Sequence, residues 1–148
     1  MPLYENAFNQ MRANFERIAR GEKPQGVVIG TLTAEQLEAI NRSRAAHQPP
    51  LPQVTGEVLF YGRHLYRSRV VRDGYTVEDV LDQIASAMDA ASVLIPHPQS
   101  TVLQNPRGRA DRYGNVVRDL AVLECTARHP RPELFSVMPK GDKIKPKT

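Results

Sequence analysis

The apolar residues of this chain change their spacing near residue 90, and this change limits the folds that the sequence can adopt. Before that point they mostly recur every three to four positions, as they do along one face of a helix. Beyond it they fall in short β-leaning runs divided by turn residues, at residues 92–95, 101–103, 115–128 and 134–138. Helices followed by a run of strands are typical of an α+β fold and not of a parallel doubly wound sheet.

Four helices are predicted in the first part, at residues 3–20, 33–46, 63–72 and 76–88. Thr33 and Gln36 have the spacing of a capping box, so we expect the second helix to begin there. Thr76 is the expected N-cap of the fourth helix, whose apolar stripe is the most regular in the chain. Short β-rich runs at residues 27–29 and 56–61 lie between the helices.

Three prolines between residues 49 and 52 exclude a helix there and favour an extended connector or hinge. We therefore divide the chain into an N-terminal helical extension at 1–48, an α+β domain at 53–140 and a basic flexible tail at 141–148. The predicted fold is N-terminal helices followed by a helix pair packed on a three- to four-stranded antiparallel sheet.

The excess positive charge is confined to the C-terminal third. Residues 1–100 carry 10 Lys and Arg against 11 Asp and Glu, whereas residues 101–148 carry 10 against 5. A basic surface attracts polyanions by long-range attraction and counterion release, which favours a nucleic-acid partner. The alternative is a solvated tail, to which Lys143, Lys145 and Lys147 belong.

Several kinds of site are excluded by the composition. Cys125 is the only cysteine, so a disulfide framework and a thiolate zinc cage are excluded. The four histidines lack metal-ligand spacing, and no glycine-rich phosphate loop is present, so no cofactor or metal is expected. The first 20 residues carry charges throughout and no apolar run is long enough to span a bilayer. We expect a cytoplasmic protein without a membrane partner.

The segment from Arg63 to Arg72 carries the first candidate site. On a helix His64, Arg67 and Ser68 would lie within one arc, with Arg72 at its edge. An imidazole transfers protons near neutral pH, and a guanidinium holds phosphate oxygens, as phosphodiester cleavage requires. The alternative is a solvated basic face on which a histidine happens to lie.

Two further clusters are predicted near the ends of the last strands, where site residues often lie. The first contains Thr126, Arg128, His129 and Arg131, and the second contains Ser136 and Lys140. The alternative for the first is a rigid turn between prolines with arginines at its rim. Each cluster is weak alone, but together they supply His, Arg, Lys and hydroxyl groups without a pair of catalytic carboxylates.

The order of these features resembles the barnase/RelE-like ribonuclease superfamily, which includes toxin- and phage-type domains. The resemblance covers residues 56–140. It starts with the strand, Gly-Arg-His, short basic helix and acid-capped helix from Glu57 to Asp79, and ends with Glu-Leu-Phe-Ser-Val-Met-Pro139. It implies cleavage of RNA without a metal at a cleft on a sheet face. Residues 1–55 have no counterpart in it.

Carried over residue by residue, the resemblance makes His64 the proton-transfer residue, and either Arg69 or Arg67 the phosphate ligand. Thr126, Ser136 and Lys140 would line the cleft, and Glu124 is a candidate general base by position only. The predicted catalytic residues are His64, Arg69, Thr126 and Ser136; the predicted nucleic-acid-binding residues are Arg63, Arg67, Arg128, Arg131 and Lys140.

The function expected from these residues is metal-independent RNA cleavage by a toxin or a domain encoded on a mobile element. The alternative is a non-catalytic regulatory module of the same fold that binds nucleic acid or protein. RNA is the expected partner in the first case. The N-terminal helices are the expected site of a protein partner or of homodimer formation.

Overall fold

The computed structural model describes residues 3–125 and 130–141, and within them the α+β class is confirmed. The helices are α1 (Ala7–Ala19), α2 (Ala34–Ala46), α3 (Arg63–Leu65) and α4 (Val77–Ala87), and α3 continues directly into a π-helix (Tyr66–Arg72). The predicted capping box at Thr33 and the predicted N-cap at Thr76 are confirmed, because each threonine accepts a hydrogen bond from the backbone N–H group three residues on.

The strands are β1 (Val27–Thr31), β2 (Glu57–Phe60), β3 (Val93–Ile95), β4 (Ser100–Gln104), β5 (Arg109–Ala110), β6 (Val116–Glu124) and β7 (Glu133–Gly141). All seven belong to one sheet: six lie side by side in the order β1-β2-β7-β6-β4-β3, and the short β5 pairs with β6. Gly114 lies in the turn between β5 and β6 and has a φ of 82°. Positive φ suits glycine because it has no Cβ.

The predicted sheet of three or four antiparallel strands is wrong in size and in type, because the sheet has seven strands and is mixed. The strands β7, β6, β4 and β3 are antiparallel neighbours in this sheet, as expected. The first two strands extend the same sheet, since β2 lies parallel to β7 and the Leu59 N–H donates to Pro132 O at 2.9 Å. Strand β1 then pairs with β2 in the antiparallel direction.

The helices and one face of the sheet share a single core. Buried residues of α1 and α4, such as Phe15 and Ile84, belong to the same cluster as Leu123 and Leu134 of the sheet. Helix α1 begins at Ala7 and not at Leu3, because Leu3 bridges to Gly30 beside β1. Residues of the predicted extension thus contribute to this core. The division into an extension at 1–48, a domain at 53–140 and a tail at 141–148 stays a prediction.

The proline-rich connector is fixed to the end of α2 by Arg44, whose side chain is 1% exposed. Its guanidinium donates to the carbonyl oxygens of Pro52 and Pro98, both at 2.6 Å. Asn41 exchanges two further hydrogen bonds with the backbone of Val54. The connector therefore packs against the fold along this stretch. No helix within the described ranges combines the length and apolar character needed to cross a membrane.

Candidate functional site around His64

The candidate site begins where β2 ends. Gly62 has a φ of 92°, and a Cβ there would lie 2.8 Å from the Phe60 ring, so glycine fits this bend best. The chain then enters α3, and Leu65 is buried in the core. His64, next to it, is exposed. The bend and the burial of Leu65 thus orient His64 away from the core.

The π-helix changes the predicted arrangement of the basic segment. At its end the Asp73 N–H donates to Ser68 O. This hydrogen bond joins residues five apart, as in a π-helix, and not four apart, as in an α-helix. Ser68 still lies beside His64, and its Oγ is 3.4 Å from the His64 Nε2 in a long hydrogen bond. Arg67 is exposed, whereas Ser68 and Arg69 are 7% and 9% exposed. Single-turn π-helices are frequent at functional sites.

His64 packs against the last strand. Its imidazole stacks on the Phe135 ring, with 4.2 Å between the ring centroids and 15° between the planes. Phe135 lies at an irregularity of β7, where Val122 pairs with Ser136 but Leu123 pairs with Leu134. The extra residue of such a bulge redirects a side chain. The bulge therefore supplies the aromatic surface that holds the imidazole.

The surroundings of His64 favour its neutral form. Partial burial lowers the pKa of His64, and the positive charges of Arg69, Arg72 and Arg67 lower it further. Glu124 opposes this and raises the pKa, but the net shift is downward. A neutral imidazole at pH 7 can accept a proton, so the environment suits a general base.

Asp73 holds two of these arginines. Its carboxylate forms an ion pair with Arg69, and its other oxygen accepts from the Arg72 Nε at 3.0 Å. Hydrogen bonding from Arg72 lowers the pKa of Asp73, and the charges of Arg69 and Arg72 add to this. Arg69 is mostly buried by this contact. Its guanidinium therefore acts on His64 as a fixed charge more readily than as a ligand of substrate.

The sheet face opposite the core carries the rest of the site. Leu123 and Ala121 belong to the core, and because strand side chains alternate, Val122 and Glu124 lie on the other face. Ser136 pairs with Val122 and shares that face, but it is 4% exposed and its Oγ has no hydrogen-bond partner among the described residues. The Glu124 carboxylate accepts from the Ser100 Oγ at 3.2 Å.

The predicted nucleic-acid-binding residues are spread along the molecule. Arg63 and Arg67 are exposed on the segment that carries His64. Arg131 precedes β7 and pairs with Glu57, while Lys140 lies near the other end of that nine-residue strand. Such a strand spans roughly 25–30 Å, so these two side chains lie in separate places. The predicted site residues Thr126 and Arg128, and also His129, lie outside the described residues.

Sequence reasoning missed two residues of the site. Asp73 had a detectable signal, because an aspartate four residues after Arg69 is the spacing of a helical ion pair. Phe135 had none, since the bulge that brings it to His64 depends on pairing with a distant strand. Glu124 was a candidate by position, and its charge does act on His64.

A wide groove of about 830 Å³ lies elsewhere, lined by Phe8 of α1, Ala39 of α2, Met88 and Leu94, and none of the described site residues borders it. Within residues 3–125 and 130–141, no three His, Cys, Asp or Glu side chains are grouped so as to hold a metal ion.

No protein-family model, curated protein or solved structure matches this chain.

Proposed function

We propose that this chain binds RNA and cleaves it without a metal ion, with His64 as the general base. One observation carries the proposal: an exposed histidine, biased toward its neutral form, lies among three arginines and stacks on Phe135 of β7. Core packing does not require this combination. This combination is required for the transfer of a proton from a ribose hydroxyl next to a phosphate.

Binding would rest on the exposed cations. Arg67 and Arg63 lie on the same segment as His64, and neither forms an ion pair with a described residue. Each has unused N–H donors for phosphate oxygens. Lys140 would contact phosphates farther along the RNA, because an RNA chain bound at His64 can extend over the length of β7. Phe135 is half-buried, and its exposed part would contact a ribose or base.

The chemistry would be an internal displacement. The His64 imidazole accepts the proton of the ribose 2′-hydroxyl, and the 2′-oxygen forms a bond to phosphorus. The bond from phosphorus to the 5′-oxygen breaks, and this oxygen takes a proton from a water molecule, which in turn receives the proton held by His64. The products are a 2′,3′-cyclic phosphate and a free 5′-hydroxyl. The positive charges of Arg67 and Arg72 stabilise the negative charge that develops on the phosphoryl oxygens. Ser136 has no contact with substrate in this scheme because it is buried.

Incubation of the purified protein with a long RNA in EDTA tests the proposal. Wild type should cut the RNA, and His64→Ala should reduce the rate by about 10²–10⁴-fold, the contribution of a general base. His47→Ala is the matched control, because the His47 side chain bonds to the Pro49 carbonyl oxygen at the end of α2 and to none of the described site residues. Absence of cutting by wild type, or equal rates for His64→Ala and wild type, rejects the proposal.

A second function has one observation in its favour. Asp73 offsets the charges of Arg69 and Arg72, so the segment presents fewer free cations than its sequence suggests. This would suit a module that binds nucleic acid without cutting it. Salt-dependent binding of RNA by wild type, together with intact RNA after prolonged incubation, would favour this function over the first.

A further inference from the structure

A second polar cavity, distinct from the His64 surroundings, lies between α4 and the β5–β6 hairpin. Its volume is about 300 Å³, and α4 contributes Asp79, Asp82 and Gln83 to its wall. Asp111 and Arg112 of the hairpin line the opposite side. None of the predicted catalytic or nucleic-acid-binding residues that the structure describes lines this cavity.

The cavity wall has more hydrogen-bond acceptors than the protein satisfies. One oxygen of Asp79 accepts from the Thr76 N–H, and one oxygen of Asp111 accepts from Tyr113 N–H and Asn115 N–H. The second oxygen of each receives no hydrogen bond from a described residue, and neither oxygen of Asp82 does. Three carboxylates with unused acceptors thus border one cavity.

Gln83 supplies the observation that points to a ligand. Its side chain is 3% exposed and lies against the cavity, yet its Oε1 has no hydrogen-bond partner among the described residues. Buried amides are normally hydrogen-bonded, and one that is not requires an explanation. A ligand N–H donor in the cavity would satisfy the amide oxygen after a simple rotation of the side-chain amide.

The charges around the cavity favour a cation. The two guanidinium groups, of Arg109 and Arg112, are already engaged. Arg109 donates to both oxygens of buried Asp119 at 2.7 Å, and Arg112 lies 4.0 Å above the Tyr75 ring while donating to Asp73 O. With Asp119 included, four carboxylates face two guanidinium groups. The net charge of these six side chains is therefore negative.

We propose that this cavity binds a small organic cation with several N–H donors, namely a primary amine or a guanidinium compound. Its ammonium or guanidinium group donates to Asp82 and to the free oxygens of Asp79 and Asp111. A further N–H group reaches the Gln83 amide. Charge-assisted hydrogen bonds of this type are roughly twice as strong as neutral ones.

Isothermal titration with putrescine and with agmatine, each at constant ionic strength, tests this site. Saturable binding by at least one of them is expected, and Asp82→Asn should weaken it at least about tenfold. Gln83→Met keeps the side-chain length and removes the amide, so it should also weaken binding. Glu5→Gln is the control, because it removes one exposed carboxylate far along the chain from the cavity wall.

Two results would overturn the proposal. The first is the absence of saturable binding of either compound at millimolar concentration. The second is equal affinity in wild type, Asp82→Asn and Glu5→Gln, which would show attraction to net charge alone. If Gln83→Met fails to fold, Asp82→Asn still decides, because Asp82 is exposed on α4 and its replacement leaves the core intact.

Discussion

The ion pair between Arg109 and Asp119 should contribute strongly to stability, and Arg109→Met measures its contribution. Asp119 is 1% exposed, and both of its carboxylate oxygens accept from the Arg109 guanidinium at 2.7 Å. Methionine keeps most of the side-chain length but leaves the carboxylate buried without its cation. Removal of one partner of a buried pair typically costs about 3–5 kcal/mol.

Solvent reduces that cost here. The Arg109 side chain is 41% exposed, so water reaches the space that its guanidinium leaves and solvates part of the Asp119 charge. We therefore expect Arg109→Met to lower the free energy of unfolding by about 2–3 kcal/mol. For a domain of this size that corresponds to a fall in Tm of roughly 4–12 °C.

Chemical denaturation with urea, followed by circular dichroism, measures the change. Arg12→Met is a matched control, since Arg12 also binds both oxygens of one carboxylate, that of Glu78, but on the surface. It should leave the unfolding midpoint nearly unchanged, because exposed ion pairs contribute little. If the two variants shift the midpoint equally, burial does not set the contribution of the Arg109 pair and the reasoning is wrong.

Three further changes test the site and its support. The pKa of His64 is lowered from its ordinary value of 6.5, so a general-base mechanism predicts that kcat/KM rises with pH to a plateau, with an apparent pKa below 6.5. Arg72→Gln removes one of the positive charges that lower the pKa of His64, so it should shift this rise in kcat/KM to higher pH. Ser136→Ala removes a buried hydroxyl that has no hydrogen-bond partner in the described part of the chain, so it should leave Tm unchanged or higher, with cleavage retained; a lower Tm in thermal denaturation would contradict this. Gly62→Ala places a Cβ 2.8 Å from the Phe60 ring at a φ of 92°, so it should destabilise the fold by about 1–3 kcal/mol in urea denaturation, and an unchanged midpoint would count against the strain.

The sequence predicted the parts of the fold that depend on nearby residues. Thr76 and the apolar stripe of α4 identified that helix because capping and periodicity are local properties. The parallel contact between β2 and β7 was not predictable in this way. It joins Leu59 to Glu133, which lie far apart in the sequence, and no local pattern encodes such a pairing.

The site was predicted in part for the same reason. His64 and Ser68 lie four residues apart, so their contact follows from any helical winding. The burial of Arg69 depends on the π-helix and on Asp73, and the position of Phe135 depends on a bulge. These features arise from tertiary packing, which overrides the periodicity read at 100° per residue.

Cleavage of an RNA and of a DNA of the same sequence, in EDTA, tests the central claim most directly. The account predicts that wild type cuts only the RNA, because the 2′-oxygen is the nucleophile, and that the 5′ fragments end in a 2′,3′-cyclic phosphate. It also predicts loss of this product in His64→Ala. Cutting of the DNA at a similar rate, or cyclic phosphate formed equally well by His64→Ala, would contradict the assignment of His64 as the general base.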